Sequence, residues 1–260
     1  MSGIDPEKMS LDSQSTIKKM GNSYILYDAG MITEPTVRLF DADYHTKADS
    51  RQNNSAVDDA PGIGRAKVVY FSSDDRDFVL KHYYRGGAVA AISKDTYLGF
   101  SVVKSRAFRE WRLLKKMSAL GLPVPVAVAA HIKKGLLSYR ADLITEKIAH
   151  TKTLADKMCE QKLSAQLWQS IGVCIRSFHD NNVYHADLNA RNILIDEQGD
   201  VYLIDFDNSG FRSGSGAWKM ANLARLKRSL LKFKRSDAGF SFDEADWSAL
   251  LAGYKNGVAE

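Results

Sequence analysis

Between His185 and Asp207 the sequence sets oxygen-bearing side chains at a spacing suited to moving a phosphoryl group. His185-Ala186-Asp187-Leu188-Asn189-Ala190-Arg191-Asn192 fits the phosphoryl-transfer loop pattern H-R-D-L-x-x-x-N at every fixed position except the second, which is Ala186. In that pattern the Asp accepts the proton of an attacking hydroxyl and aims it, and the Asn five residues later holds a metal on the phosphate side. The apolar run 201–204 then delivers Asp205-Phe206-Asp207, where a second metal ligand is needed. Two carboxylates and an amide make a hard, oxygen-rich site suited to magnesium, which takes few protein ligands and completes its shell from substrate phosphates. Asp187 is thus the candidate base, and Asn192 and Asp205 are the candidate metal ligands. An Asp and an Asn close together are also common turn residues; the second motif, arriving in the right order, argues against that plainer assignment.

The first half supplies complementary parts. Residues 78–81 (Phe-Val-Leu-Lys) end a strand-like run and resemble the V-A-I-K motif of protein kinases, which makes Lys81 the candidate partner of the nucleotide phosphates. A helix is predicted over 105–120 from the spacing of Phe108, Trp111, Leu114 and Met117, with Gly121 and Pro123 as its stop. Glu110 on that helix is the natural counter-ion for Lys81; the alternative is an exposed carboxylate beside Arg106 or Arg109. Gly62-Ile63-Gly64 resembles the start of a phosphate-covering glycine loop, although Lys67 stands where a third glycine is expected. Gly62 and Gly64 are therefore candidate nucleotide contacts, or simply a turn. The order glycine loop, Lys, Glu, Asp–Asn, Asp carries more weight than any one part.

These residues need elements to hold them. Residues 1–20 read as a flexible N-terminus. Strands are predicted at 24–27, 67–71 and 78–84, with a polar turn at 72–77 making the last two a hairpin. Asp41 to Pro61 is Asn/Asp-rich and reads as a long loop. Further strands are expected at 124–130 and 136–145. Helices follow at 154–159, at 164–179 with Ser164 as N-cap, at 216–234 and at 242–254. Two short runs, 193–195 and 201–204, are joined by the turn DEQGD at 196–200. The expected architecture is α+β and bilobal: a β-rich N-lobe over 21–147, a mostly helical C-lobe over 148–260, and a nucleotide cleft between them.

Bulk composition sets the class. With 260 residues, 45% hydrophobic and 26% charged, the chain has the profile of a soluble globular protein. No apolar run is long enough to span a bilayer, and the polar N-terminus lacks the apolar core of a secretory signal. A cytoplasmic location is expected, free or on a membrane surface. Cys159 and Cys174 form no metal-ligand pattern and read as buried thiols in a reducing compartment. The net charge of +5 is concentrated: residues 216–235 hold seven basic residues and no acidic one. That run suits an anionic partner, or it is the solvated face of a core-packed helix. It has too little aromatic interleaving for a nucleic-acid binder.

With these residues in view, the chain resembles the lipopolysaccharide kinases, and among them the kinases of 3-deoxy-D-manno-octulosonic acid (Kdo). The resemblance runs from about Gly62 to Lys234. It is carried by VLKHYYRGG at 79–87, RAFREWRLL at 106–114, GLPVP at 121–125, YRADLIT at 139–145, the 185–192 loop, LIDFD at 203–207 and ANLARLKRSL at 221–230. It implies a protein-kinase-like fold, with ATP and magnesium (Mg2+) as cofactors. It further implies phosphorylation of the 4-hydroxyl of Kdo on the lipid A precursor, at the cytoplasmic face of the inner membrane. Asp187 would be the base, Asn192 and Asp205 the metal ligands, and Lys81 the ATP-phosphate residue.

The run's own chemistry is compatible with that substrate. Lys227, Arg228 and Lys232 are candidate contacts to the anionic lipid or to the inner-membrane surface, at about 1 kcal/mol for each charge near such a surface. Arg85, just ahead of Gly86-Gly87, is a further candidate for a substrate anion. Trp218, Leu223, Leu226, Leu230 and Phe233 would form the apolar face of this helix, buried in the lobe or partly on the bilayer. The departures from protein kinases are informative. Ala186 replaces the arginine that answers an activation-loop phosphate, no A-P-E follows, and Asp207 replaces a glycine, all of which turn the reading away from a protein substrate. Heptose kinases and other small-molecule phosphotransferases share the core motifs and stay open as alternatives. A pseudokinase scaffold is disfavoured because Lys81, Asp187, Asn192 and Asp205 are all present.

Overall fold

The computed structural model describes residues 15–49, 66–73, 75–83, 102–135, 139–214, 216–237 and 239–257. Two compact units emerge, one drawn from 1–112 and 126–147, the other from 113–125 and 148–260. In the first, β1 (Ser15–Met20), β2 (Ser23–Asp28), β3 (Ala66–Ser73), β4 (Arg76–Tyr83), β5 (Ala127–Lys134) and β6 (Tyr139–Glu146) form one antiparallel sheet in the order β1-β2-β5-β6-β4-β3. Strand alternation sends successive side chains to opposite faces. On β4, Phe78 and Leu80 therefore enter the core with Ile25, Phe71, Val128 and Ile144, while Lys81 and Tyr83 point the other way.

Two expectations need correction here. The segment read as a loose N-terminus contains β1, paired with β2 from Ser15↔Asp28 to Met20↔Ser23. Lys18 and Lys19 mask its strand pattern, and lysine on an edge strand is a usual guard against edge-to-edge pairing. The segment read as a long loop begins with α1 (Ala42–Asp49). Asp41, taken for a turn former, caps that helix: its Oδ1 accepts from the backbone N–H of Asp43 at 3.0 Å and of Tyr44 at 3.3 Å. Tertiary contact rather than an apolar stripe holds the helix, with His45 stacked 3.8 Å from the Phe71 ring and donating to the Leu39 carbonyl at 2.9 Å. Residues 50–61 of the expected loop lie outside the described residues. Strand β5 also starts later than expected, because Pro123 and Pro125 remove ladder donors just before it, while residues 136–138 of the next expected strand lie outside the described residues.

The helix α2 (Arg106–Ala119) ends as expected. Gly121, at φ 71°, lets its own N–H reach the Ser118 carbonyl and the Leu122 N–H reach Met117, which satisfies the last carbonyls of the helix.

In the second unit, β7 (Lys152–Thr153), α3 (Leu154–Glu160), α4 (Ala165–Asp180), β8 (Val183–Tyr184), β9 (Ile193–Ile195), β10 (Val201–Leu203), β11 (Gly210–Phe211), α5 (Ala217–Ser236) and α6 (Glu244–Asn256) follow in order. Ser164 caps α4 by accepting from the Leu167 N–H at 3.2 Å. Trp168, Ile171, Ile175, Phe178, Leu226 and Leu250 fill the core. Cys174 is buried there, and burial pushes its thiol up to about 12, so it is unreactive. Cys159, expected to be buried too, is exposed on the last turn of α3, with Asp237 3.5 Å from its sulfur.

The crossing of α4 and α6 depends on two glycines that the sequence did not single out. A Cβ at Gly172 would stand 2.1 Å from the Leu250 carbonyl oxygen, and one at Gly253 would stand 2.1 Å from that of Gln169. Both obstacles are backbone, so an alanine must push the helices apart. We expect Gly172→Ala to lower stability by about 2 kcal/mol in urea unfolding, net of the roughly 1 kcal/mol that alanine gains over glycine in a helix. An unchanged unfolding midpoint would overturn this close crossing. Among the described residues, no helix is long and apolar enough to cross a membrane.

Candidate active site

Lys81 and Glu110 are brought together in the first unit. The Lys81 Nζ lies 3.1 Å from each carboxylate oxygen of Glu110, which is buried at 4% exposure rather than displayed beside Arg106 and Arg109. Tyr83, which sequence reasoning overlooked, completes the arrangement. Its hydroxyl donates to Glu110 Oε2, and the Lys81 ammonium sits 4.7 Å over its ring. The available signal was strand period, since Lys81 and Tyr83 share one face of β4 two residues apart. A lysine held in this way presents its nitrogen at a fixed place. Behind it, on the core side of β4, His82 and His131 both hydrogen-bond Asp142, His131 at 2.9 Å. Burial pushes the Asp142 carboxyl up, but the bonds from His131 and His82 outweigh this and leave it below the usual carboxylate range. This clamp ties β4, β5 and β6 together under Lys81. Gly62, Gly64 and Arg85 lie outside the described residues.

In the second unit the 185–192 loop is held by its backbone. His185 is buried and donates from Nε2 to the Ile204 carbonyl at 2.9 Å, while its Nδ1 accepts the Asp187 N–H at 3.1 Å. The Ala186 N–H is taken by Ser209 Oγ at 2.9 Å, and the Ala190 N–H by Ser229 Oγ at 3.3 Å. Asn222 on α5, only 1% exposed, donates to the His185 carbonyl at 2.8 Å and accepts from the His185 N–H at 3.3 Å. Phe206 packs between Phe178 and His185, at ring distances of 5.7 and 4.7 Å. Loop, hairpin and helix α5 are thus cross-braced.

This bracing leaves Asp187 open, its side chain 62% exposed. Asn189 donates to its Oδ2 at 3.1 Å, and Arg225 Nη1 lies 3.4 Å from its Oδ1. Asn192 Nδ2 donates to the Asp187 carbonyl at 2.9 Å, which commits the amide's nitrogen and turns its oxygen to other use. The Ile204 N–H donates to the Asn192 carbonyl at 3.1 Å, so Asp205 follows directly from a backbone bond to Asn192. Asp205 stands at φ 62°, a left-handed conformation that costs a non-glycine residue about 1 kcal/mol and is common where function dictates geometry. Asp207, which stands in the glycine's place, is not among the positive-φ residues; Asn208 is, at φ 57°.

The donor set fits magnesium. An amide oxygen and a carboxylate are hard ligands, and among the described residues no group of three or more His, Cys, Asp and Glu side chains forms a complete cage. A metal at Asn192 and Asp205 therefore needs oxygens from a substrate, as magnesium on a nucleotide has.

The basic run is the helix α5. Leu223, Leu226 and Leu230 are buried, so its apolar face belongs to the core of the unit rather than to a bilayer. Lys227 is engaged, 3.0 Å from Glu244 and over the Trp247 ring. Arg228 and Lys232 are exposed and have no ion-pair partner among the described residues.

Comparison with known proteins gives the family. The sequence model of the "Lipopolysaccharide kinase (Kdo/WaaP) family" matches residues 51–254. The 3-deoxy-D-manno-octulosonic acid kinase of Actinobacillus succinogenes is 45% identical over 68% of this chain and 75% of its own length. That of Vibrio vulnificus is 38% identical over 92% of this chain and 98% of its own. A solved structure, "WaaP in complex with acyl carrier protein", superposes with a TM-score of 0.52 at 18% identity, covering 85% of this chain and 86% of that one, which shows a shared α+β, protein-kinase-like fold. The family match over most of the chain and the identity to these kinases lead to one conclusion: the chain is a kinase and belongs to the lipopolysaccharide kinase (Kdo/WaaP) family.

Proposed function

We propose that this chain transfers the γ-phosphoryl group of ATP, with magnesium, to the 4-hydroxyl of Kdo on the lipid A precursor, working at the anionic inner-membrane surface. The observation that carries the reading is Asp187: an exposed carboxylate on a rigidly braced loop, with Asn192 and Asp205 following on the same hairpin. The acceptor is suggested by the name of the curated relatives, 3-deoxy-D-manno-octulosonic acid kinase. Asp187 accepts the proton of the acceptor hydroxyl and aims its oxygen. Lys81, fixed by Glu110 and Tyr83, holds nucleotide phosphate oxygens. Asn192 and Asp205 hold magnesium, which supplies charge neutralisation to the transferring group. The exposed Arg228 and Lys232 favour an anionic lipid surface, where each adds about 1 kcal/mol.

The test is ATP-dependent phosphate transfer by the purified protein to Kdo-lipid A precursor in anionic vesicles, at low and high salt, beside a heptosylated acceptor. Transfer to the Kdo acceptor, slower at high salt, is expected. Absence of transfer, or preference for heptose, would overturn the acceptor assignment; indifference to salt would remove the membrane contact.

A further inference from the structure

Three contacts along one face of α5 fasten it to the catalytic loop: Asn222 to His185, Arg225 to Asp187 and Ser229 to Ala190. They recur at helical spacing, so α5 lies along the loop as a wall. Two of the three bond loop backbone and are explained by holding the loop in place. Arg225 is different. It reaches the side chain of the candidate base, both groups are largely exposed, at 43% and 62%, and an exposed ion pair contributes little to stability. The fold therefore has little use for Arg225 at this place unless a second anion shares it.

The guanidinium can share. It offers five N–H donors in a planar fork matched to a carboxylate, and among the described residues only the 3.4 Å contact to Asp187 Oδ1 uses it. The acceptor in the curated relatives' name is an acid, and its carboxylate lies a few bonds from the ring hydroxyl that Asp187 would receive. We propose that Arg225 binds the sugar carboxylate of the acceptor and so selects an acidic sugar over a neutral one, in a reading that rests on Kdo as acceptor. One compact sugar then satisfies two groups only 3.4 Å apart, its hydroxyl on Asp187 and its carboxylate on Arg225. Arg228, Lys232 and Arg235 continue from Arg225 at helical spacing over about 15 Å of exposed helix. They would meet further anionic groups of the same lipid.

The experiment compares Kdo-lipid A precursor with its carboxyl methyl ester, for the wild type, Arg225→Gln and Arg225→Lys. In the wild type, kcat/KM for the acid should exceed that for the ester by about 10- to 100-fold, the worth of charge-assisted hydrogen bonds. The ratio should fall towards one in Arg225→Gln and keep an intermediate value in Arg225→Lys, with KM for ATP and the thermal midpoint unchanged. An undiminished ratio in Arg225→Gln overturns the proposal alone, as does an equal loss on both acceptors, which would assign Arg225 to the phosphoryl group. No transfer by the wild type to either form overturns the Kdo reading and this proposal together.

Discussion

Asp187→Ala should lower kcat for phosphate transfer by about 10³-fold or more while leaving KM for ATP within a few-fold of wild type. The separation follows from where the group sits. Asp187 is proposed to act on the acceptor hydroxyl, and its carboxylate contacts Asn189 and Arg225; the bond to Asn192 is made by its backbone carbonyl and survives the substitution. Its side chain is exposed, so its removal leaves no buried partner unpaired and the fold should be unaffected. Asp205→Ala gives the contrasting result: kcat falls and the magnesium concentration needed for activity rises, because a ligand rather than a base is lost. It relieves no strain at φ 62°, a conformation that alanine tolerates no better than aspartate. Steady-state kinetics with ATP and magnesium varied independently distinguish the two. Undiminished transfer by Asp187→Ala would remove it from the chemistry. A magnesium requirement unchanged in Asp205→Ala would remove Asp205 from the metal.

The contrast between Lys81 and Tyr83 explains how much of this site the sequence disclosed. Asp187, Asn192 and Asp205 lie within one stretch of loop and hairpin, and that hairpin pairs Val201↔Ile195 and Leu203↔Ile193 around a turn whose Asp196 Oδ1 accepts two backbone N–H groups. Local chemistry suffices there, and local chemistry is what a sequence displays. Lys81 and Glu110 were legible because each sits on an element with a strong period. Tyr83 shares Lys81's strand face, but a tyrosine on a strand is ordinary core or surface until its partner is known. Asn222 and Arg225 were hidden for a deeper reason. They act on a loop more than 30 residues away in sequence, from a helix that reads simply as basic. The opposite error concerns β1 and α1. Lys18 and Lys19 conceal an edge strand, and Asp41 marks a helix cap as readily as a turn. In each case the deciding partner (β2, or Phe71 under His45) comes from elsewhere in the fold.

The hidden brace at Asn222 leads to the second large effect. Asn222→Leu should cost about 3 kcal/mol of stability and, in the protein that remains folded, lower kcat more than it raises KM for ATP. Leucine keeps the volume but orphans the His185 N–H and carbonyl, and the ring N–H of His179, which donates from Nε2 to Asn222 Oδ1 at 3.3 Å. Each buried polar group left without a partner costs about 1–3 kcal/mol. The His185 backbone is also what sets the Asp187 N–H on His185 Nδ1, so a slack loop misplaces the candidate base before it affects nucleotide contacts. His179 makes the brace sensitive to pH. Tyr254 donates to its Nδ1 at 2.8 Å, so the ring is neutral, with its proton on Nε2. Burial lowers its pKa from 6.5 to about 4. Because the folded value lies below the unfolded one, the unfolded chain binds the extra proton between these limits. Stability from this group is thus complete above about pH 6.5 and is lost as pH falls towards 4. At about 1.4 kcal/mol per pH unit, the loss approaches 3 kcal/mol across the window. In His179→Gln that part of the pH dependence should vanish from urea-unfolding curves recorded across the range. A wild-type slope retained in the variant would place the titration elsewhere, and an unchanged unfolding midpoint in Asn222→Leu would show that the loop holds itself.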